Sequence, residues 1–170
     1  MLKPFRRLMI ASLLGVVIVA PNVSAAGEAL VSFKSLSLDA ALEVAQAALA
    51  ECRKQGFQVA VAVVDRAGNL QVTLRDRYAG PHTPETARRK AWTAISFRAD
   101  TLTMSQQTEA GKAASGVRFV EQALMVGGGV PVDAAGSMVG AVGVSGAPGG
   151  DLDAACARVG IEAIADQLAF

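Results

Sequence analysis

The residues with the most chemical potential lie in one segment, RDRYAGPHTP at residues 75–84. This segment contains His82, the single histidine of the 170-residue chain. A histidine in a loop can present a neutral imidazole nitrogen near pH 7, which is the form that binds iron. One histidine excludes a zinc or non-haem iron centre built from several histidines of one protomer, unless carboxylates and cysteines replace them.

Arginines flank His82 on both sides. Arg75 and Arg77 precede it, and Arg88 and Arg89 follow it. Guanidinium groups form charge-assisted hydrogen bonds with carboxylates, so these side chains could bind groups such as haem propionates. A second interpretation is that His82 is a surface histidine in a turn, beside arginines that solvate a helix face. The residues alone favour the second interpretation.

Two glycine-rich motifs were compared with known catalytic and nucleotide-binding loops. The run Gly127-Gly128-Gly129 fits neither a dinucleotide-binding fingerprint nor a P-loop. It predicts a tight bend or a close backbone approach, with Gly128 and Gly129 shaping a ligand pocket as the alternative. The segment GVSGA at 143–147 lacks the second glycine of a serine-hydrolase elbow. Serine hydrolysis is therefore disfavoured.

The N-terminal segment has the charge order of a secretory signal peptide. Three basic side chains precede an apolar run at 8–20, and small residues lead to Ala25. We predict cleavage after Ala25 and a periplasmic or secreted protein, with an uncleaved membrane anchor as the alternative. Cleavage would lower the 16 basic side chains to 13 against 15 acidic ones, a formal net charge of −2. A near-neutral domain disfavours nucleic-acid binding, and none of the predicted mature domain is expected in a membrane.

The two cysteines, Cys52 and Cys156, both fall on the apolar stripes of predicted helices. Both would meet an oxidising compartment after export, so a disulfide between them is permitted. The alternative is a pair of small, buried core residues. The sequence leaves both interpretations open.

Alternating helical and extended patterns predict one domain at 37–170, after a linker at 26–36. Ser37 caps a first helix, and a hairpin at 59–65 and 70–76 follows. A second helix begins with Thr83 as its cap and carries Arg88, Arg89 and Lys90 on its outer face. The prediction continues with a short helix from Thr103, a strand at the end of 117–126, a hairpin at 130–133 and 137–145, and a helix capped by Asp151. Two hairpins separated by helices indicate an α+β fold whose antiparallel sheet is covered by helices.

Four ordered blocks of this sequence resemble the GlcG/HbpS family: VAVVDRAGNL at 61–70, ARRKAWTA at 87–94, GGGVPV at 127–132 and GAVGVSG at 140–146. The C-terminal domain of PduO-type cobalamin adenosyltransferases is similar as well. The resemblance implies a profilin-like domain with α-β-α layers and a five-stranded antiparallel sheet, commonly assembled into homo-oligomers. It also implies haem binding in some members, with His82 as the candidate iron ligand here and Tyr78 and Thr83 as oxygen alternatives.

The resemblance leaves several functions open. The first is storage or sensing of extracellular haem, in which the protein acts with a sensor ectodomain. The second is binding or turnover of a small hydroxy acid, with Ser145 and the glycines shaping a pocket and Arg88 or Arg89 holding a carboxylate. The third is a structural oligomer or an accessory partner of a sensor protein. Because no general base beyond His82 and scattered carboxylates is evident, binding is favoured over catalysis.

Overall fold

A computed structural model describes residues 29–169. The predicted signal peptide at 1–25 therefore lies outside the described residues. All helices and strands given below belong to the unit Phe33–Phe170. Across the described part of the chain, no helix combines the length and apolar character needed to cross a membrane.

An antiparallel sheet is the centre of this unit. Its strands are β1 at Ala60–Asp65, β2 at Leu70–Arg75, β3 at Gly129–Ala134 and β4 at Ser137–Ser145. The strand order is β2-β1-β4-β3, and each neighbouring pair is antiparallel. The predicted antiparallel sheet with helices is confirmed. The predicted fifth strand is wrong, because the sheet of the described residues has four strands.

The segment expected to supply another strand, at the end of 117–126, makes its hydrogen bonds elsewhere. It contains a short 3-10 helix at Ser115–Phe119, and turns follow. Arg89 donates to the carbonyl oxygen of Ala123 at 2.8 Å, and the amide of Leu124 donates to the Thr93 hydroxyl at 2.9 Å. These side chains lie on the second helix. They occupy backbone groups that a strand would have offered to the sheet.

Three long helices cover the sheet. Helix α1 at Leu38–Lys54 and helix α4 at Gly150–Glu162 pack on one face, and helix α2 at Thr83–Phe97 packs on the other. Glycine allows close approach on both faces. A Cβ at Gly160 of α4 would lie 2.6 Å from the Val44 carbonyl oxygen of α1, and one at Gly143 would collide with the Ala87 backbone of α2. The short helices are α3 at Thr101–Gln107 and α5 at Ala165–Leu168.

The predicted helix starts are partly correct. The Ser37 hydroxyl accepts the amide of Ala40 at 3.2 Å, as a cap should. Helix α3 is capped by Asp100 rather than Thr103, and α4 has Gly149 rather than Asp151 at its cap position. Thr83 is the first residue of α2 and not its cap, and its hydroxyl donates to the Gly80 carbonyl oxygen at 2.8 Å.

Helices α1 and α4 are linked covalently. Cys52 and Cys156 form a disulfide with a Cα–Cα distance of 5.6 Å, and both residues are fully buried. The bridge closes a sequence separation of 104 residues, so it fixes the two ends of the domain to each other.

Candidate functional site

A cleft of about 590 Å³ opens where three elements meet: the start of α2, the end of β4 and the start of α4. Its volume is within the range of small-molecule sites, about 300–1,000 Å³. The polar side chains on its wall include His82, Tyr78, Thr83, Lys90, Ser145 and Asp153. Its apolar side chains include Phe57, Val126, Ala147 and Pro148. The cleft is therefore mixed in character, with apolar walls and a few convergent polar groups.

The predicted iron ligand, His82, and the two oxygen alternatives, Tyr78 and Thr83, all line this cleft. His82 is exposed, and its imidazole makes no hydrogen bond within residues 29–169. The ring packs over Gly80, where an added Cβ would lie 2.7 Å from Cε1. Tyr78 is 79% exposed. His82 thus presents ring nitrogens that are free to bind a ligand.

The predicted arginines do not line this cleft. Both Arg75 and Arg89 donate to carbonyl oxygens, those of Ala79 at 2.7 Å and Ala123 at 2.8 Å respectively. Arg88 pairs with Glu85 at 2.8 Å, and this hydrogen bond lowers the pKa of Glu85. The expectation that Arg88 or Arg89 holds a ligand carboxylate therefore has no support in the geometry. Arg77 is exposed in the loop before His82.

The cleft contains a buried ion pair that the sequence interpretation missed. Lys90 was predicted on the outer face of α2, yet it is only 1% exposed. Its Nζ lies 2.7 Å from Asp153 Oδ2 and donates to the Val144 carbonyl oxygen at 2.9 Å. Asp153 Oδ1 accepts the amide of Ala147 at 3.0 Å. Burial raises the pKa of Asp153, although the Lys90 ammonium opposes that rise.

The sequence did contain a signal for Lys90. It follows Ala87 by three positions and precedes Ala94 by four, and both alanines are fully buried. Helical spacing therefore places Lys90 on the inward face. Its charge led to the opposite assignment, because lysine is almost never fully buried unless it is paired. The partner, Asp153, lies 63 positions away.

The glycine run supports this ion pair. Gly128 has a φ of +116°, and a Cβ there would lie 2.9 Å from Lys90 Nζ and 2.7 Å from Asp153 Cβ. A Cβ at Gly129 would collide with the Lys90 carbonyl group. Gly128 and Gly129 do not line the cleft. They make room for Lys90, which agrees with the predicted close backbone approach.

The described chain has no multidentate site for a bare metal ion. Residues 29–169 contain no group of three or more histidine, cysteine, aspartate or glutamate side chains placed to hold a metal ion. A haem iron differs from a bare ion, because the porphyrin supplies four ligands and the protein supplies one or two axial ones. Within the cleft, His82 is the single histidine and so the one imidazole that could fill such a position.

Comparison with known proteins gives consistent matches. The family model described as haem degrading protein HbpS-like matches residues 36–162, which include every residue of the cleft. The crystal structure of a double mutant of Streptomyces reticuli HbpS is 42% identical, with a TM-score of 0.76, and the match covers 85% of this chain and 97% of that one.

Two further relatives extend the comparison. The crystal structure of a PduOC–haem complex is 28% identical, with a TM-score of 0.72 and coverage of 77% of this chain and 96% of that one. A 15.0 kDa protein encoded between dhaT and dhaS in Citrobacter freundii is 33% identical over 114 residues, or 66% of this chain and 80% of that protein.

Proposed function

We propose that this chain, which belongs to the HbpS-like family, binds haem in the cleft, where the imidazole of His82 would hold the iron. The observation that carries the proposal is the position of His82, whose imidazole faces the cleft without a hydrogen-bond partner in the described chain. Two comparisons support haem as the ligand. The similar PduOC structure is a haem complex, and the family model is described as haem degrading.

The residues present fit a tetrapyrrole. Phe57, Val126 and Pro148 offer apolar surface for the macrocycle, and Tyr78 offers a phenol oxygen, whereas the hydroxyl of buried Thr83 is already bonded to the Gly80 carbonyl oxygen. Bound haem would supply an iron centre for ligand binding or redox chemistry. The chain itself would orient the macrocycle, provide the imidazole nitrogen and restrict water on one side.

Hemin titration tests this function. In wild type we expect a Soret shift that saturates, and in His82→Ala we expect an affinity at least about tenfold weaker, because loss of the imidazole ligand should cost no less than loss of a partner that only orients a ligand. Added free imidazole should restore the wild-type Soret position in His82→Ala. If His82 only supported the loop, the hemin bound to His82→Ala would keep the wild-type Soret position without added imidazole.

The matched control is Arg98→Ala. Arg98 is an exposed residue at the far end of α2 that does not line the cleft, so its removal should leave the titration unchanged. Identical Soret changes in wild type and His82→Ala would exclude His82 as the ligand. The absence of any Soret change in wild type would exclude haem binding.

We also propose that the mature protein acts outside the cytoplasm, as a homo-oligomer that stores or senses extracellular haem. The charge order of residues 1–25 supports export. We expect the exported protein to have an intact mass that begins at Ala26, and light scattering to give a multiple of the mature mass. A full-length mass in the cell pellet would contradict export, and a monomer mass would contradict assembly.

A further inference from the structure

We propose that the cleft contains a carboxylate-binding subsite formed by Ser145, Lys90 and the first turn of α4. The subsite lies in the cleft of the proposed function. Its use for a haem propionate rests on that function, whereas its use for a free carboxylate does not. It would take over the role that the sequence assigned to Arg88 and Arg89.

Ser145 is a largely buried residue whose hydroxyl opens into the cleft and has no hydrogen-bond partner in the described chain. It is the last residue of β4, is 5% exposed and lines the cleft. Its hydroxyl makes no hydrogen bond to any residue of the described chain. A hydroxyl has one donor and two acceptor positions, and buried hydroxyls are normally hydrogen-bonded. Because the Ser145 hydroxyl opens into the cleft and no protein group occupies these positions, they are available to a ligand atom.

Lys90 provides a second donor. Its ammonium has three N–H donors, of which two reach Val144 and Asp153. The third N–H has no acceptor within the described residues, and Lys90 lines the cleft. Because Asp153 balances its charge, Lys90 can stay buried when the subsite is empty. A ligand is therefore held by directed hydrogen bonds rather than by a net charge.

The start of α4 provides the remaining donors. Gly149 is at the cap position, and no side chain caps the helix there. The first turn of a helix has amide N–H groups without intrahelical acceptors, and it is the positive end of the helix dipole. Gly149 and Gly150 line the cleft together with Ser145, so the proposed subsite includes this end of the helix. Two acidic side chains lie at this end of the helix: Asp151 is exposed to solvent but its carboxylate lies against Gly149, and Asp153 is paired with Lys90.

These donors fit a carboxylate, which is acceptor-only and accepts about four hydrogen bonds. Two sources share this chemistry: a free small carboxylate and a propionate of a tetrapyrrole. Acetate against neutral acetamide tests the first source. Hemin against hemin dimethyl ester, in which both propionates are esterified, tests the second.

The test variant is Ser145→Ala, and the matched control is Ser137→Ala at the opposite, exposed end of β4. Acetate binding is followed by amide chemical shifts, and hemin binding by the Soret band. We expect Ser145→Ala to bind the carboxylate probe about tenfold more weakly, because a hydrogen bond to a charged group is lost. Ser137→Ala should match wild type. Ser145→Cys, a weak donor of similar size, should resemble Ser145→Ala.

Two results would support the subsite. In the first, wild type binds acetate but not acetamide, and Ser145→Ala binds acetate more weakly. In the second, wild type binds hemin more tightly than hemin dimethyl ester, and Ser145→Ala removes that difference. The subsite is refuted if wild type prefers neither acetate over acetamide nor hemin over its dimethyl ester. It is also refuted if Ser145→Ala keeps the same preference as wild type. An absent Soret change in wild type would reject haem binding, and the acetate comparison would then decide the subsite alone.

Discussion

Replacement of Lys90 by methionine is expected to lower the free energy of unfolding by about 3–5 kcal/mol. The substitution keeps most of the buried aliphatic volume and removes only the ammonium. Asp153 then stays buried at 3% exposure without its partner, and the Val144 carbonyl oxygen loses its donor. The measurement is urea denaturation at neutral pH, with the two-state assumption checked by coincident fluorescence and circular dichroism transitions.

Two further variants separate the ion pair from side effects. Lys54→Met makes the same change on the surface, where the Lys54 side chain is 73% exposed and pairs with Glu51, so we expect almost no change in the free energy of unfolding. Lys90→Met/Asp153→Asn removes both charges but keeps an oxygen that can accept the Ala147 amide. It should recover at least half of the lost stability. A double variant no more stable than Lys90→Met would show that unpaired charge is not the cause.

The deficit of Lys90→Met should also depend on pH. Burial raises the pKa of Asp153 in the folded wild type, and loss of Lys90 removes the ammonium that opposes this rise. A group whose pKa is higher in the folded protein than in the unfolded chain contributes to the free energy of unfolding. That contribution is fully present below the unfolded pKa and is lost as the pH rises through the folded pKa. The difference in free energy of unfolding between wild type and Lys90→Met should therefore be smaller under acidic conditions than at neutral pH. A deficit that grows on acidification would contradict this assignment.

Loss of the disulfide is the second change with a large expected effect. We expect Cys52→Ala/Cys156→Ala to reduce the free energy of unfolding by about 2–5 kcal/mol. The bridge closes a separation of 104 residues, so it restricts the unfolded chain strongly in the chain-entropy model. It also joins α1 to α4 within the core on one face of the sheet. Thermal or urea denaturation of the exported, oxidised protein gives the measurement.

Reductant provides the control for this prediction. Wild type should lose stability to nearly the level of the double variant when dithiothreitol is present during unfolding, and the double variant should not respond. If reductant leaves the unfolding midpoint of wild type unchanged and free-thiol titration of the unfolded protein finds two thiols, the cysteines are not bridged in the protein.

Local sequence patterns were sufficient for the two hairpins and for the long helices. Turns at 66–69 and 134–136 join strands that pair with their immediate neighbours, so the information that specifies them is close in sequence. The apolar periodicity of α1 similarly depends on residues within one helix. The segment around 117–126 has the same apolar composition, but Arg89 and Thr93 bond its backbone. The sequence of the segment itself does not show that side chains of the second helix will take these backbone hydrogen bonds.

The sequence by itself determined the helix and hairpin order, the antiparallel pairing, the resemblance to a family and the loop that presents His82, because each of these follows from neighbouring residues. Only the tertiary structure decided what else faces His82. It buried Lys90 against Asp153 and gave Arg75 and Arg89 backbone carbonyl partners, and it left the Ser145 hydroxyl open to the cleft. Those outcomes depend on contacts such as the 63-residue separation between Lys90 and Asp153, and on whether a charge finds its partner once water is excluded.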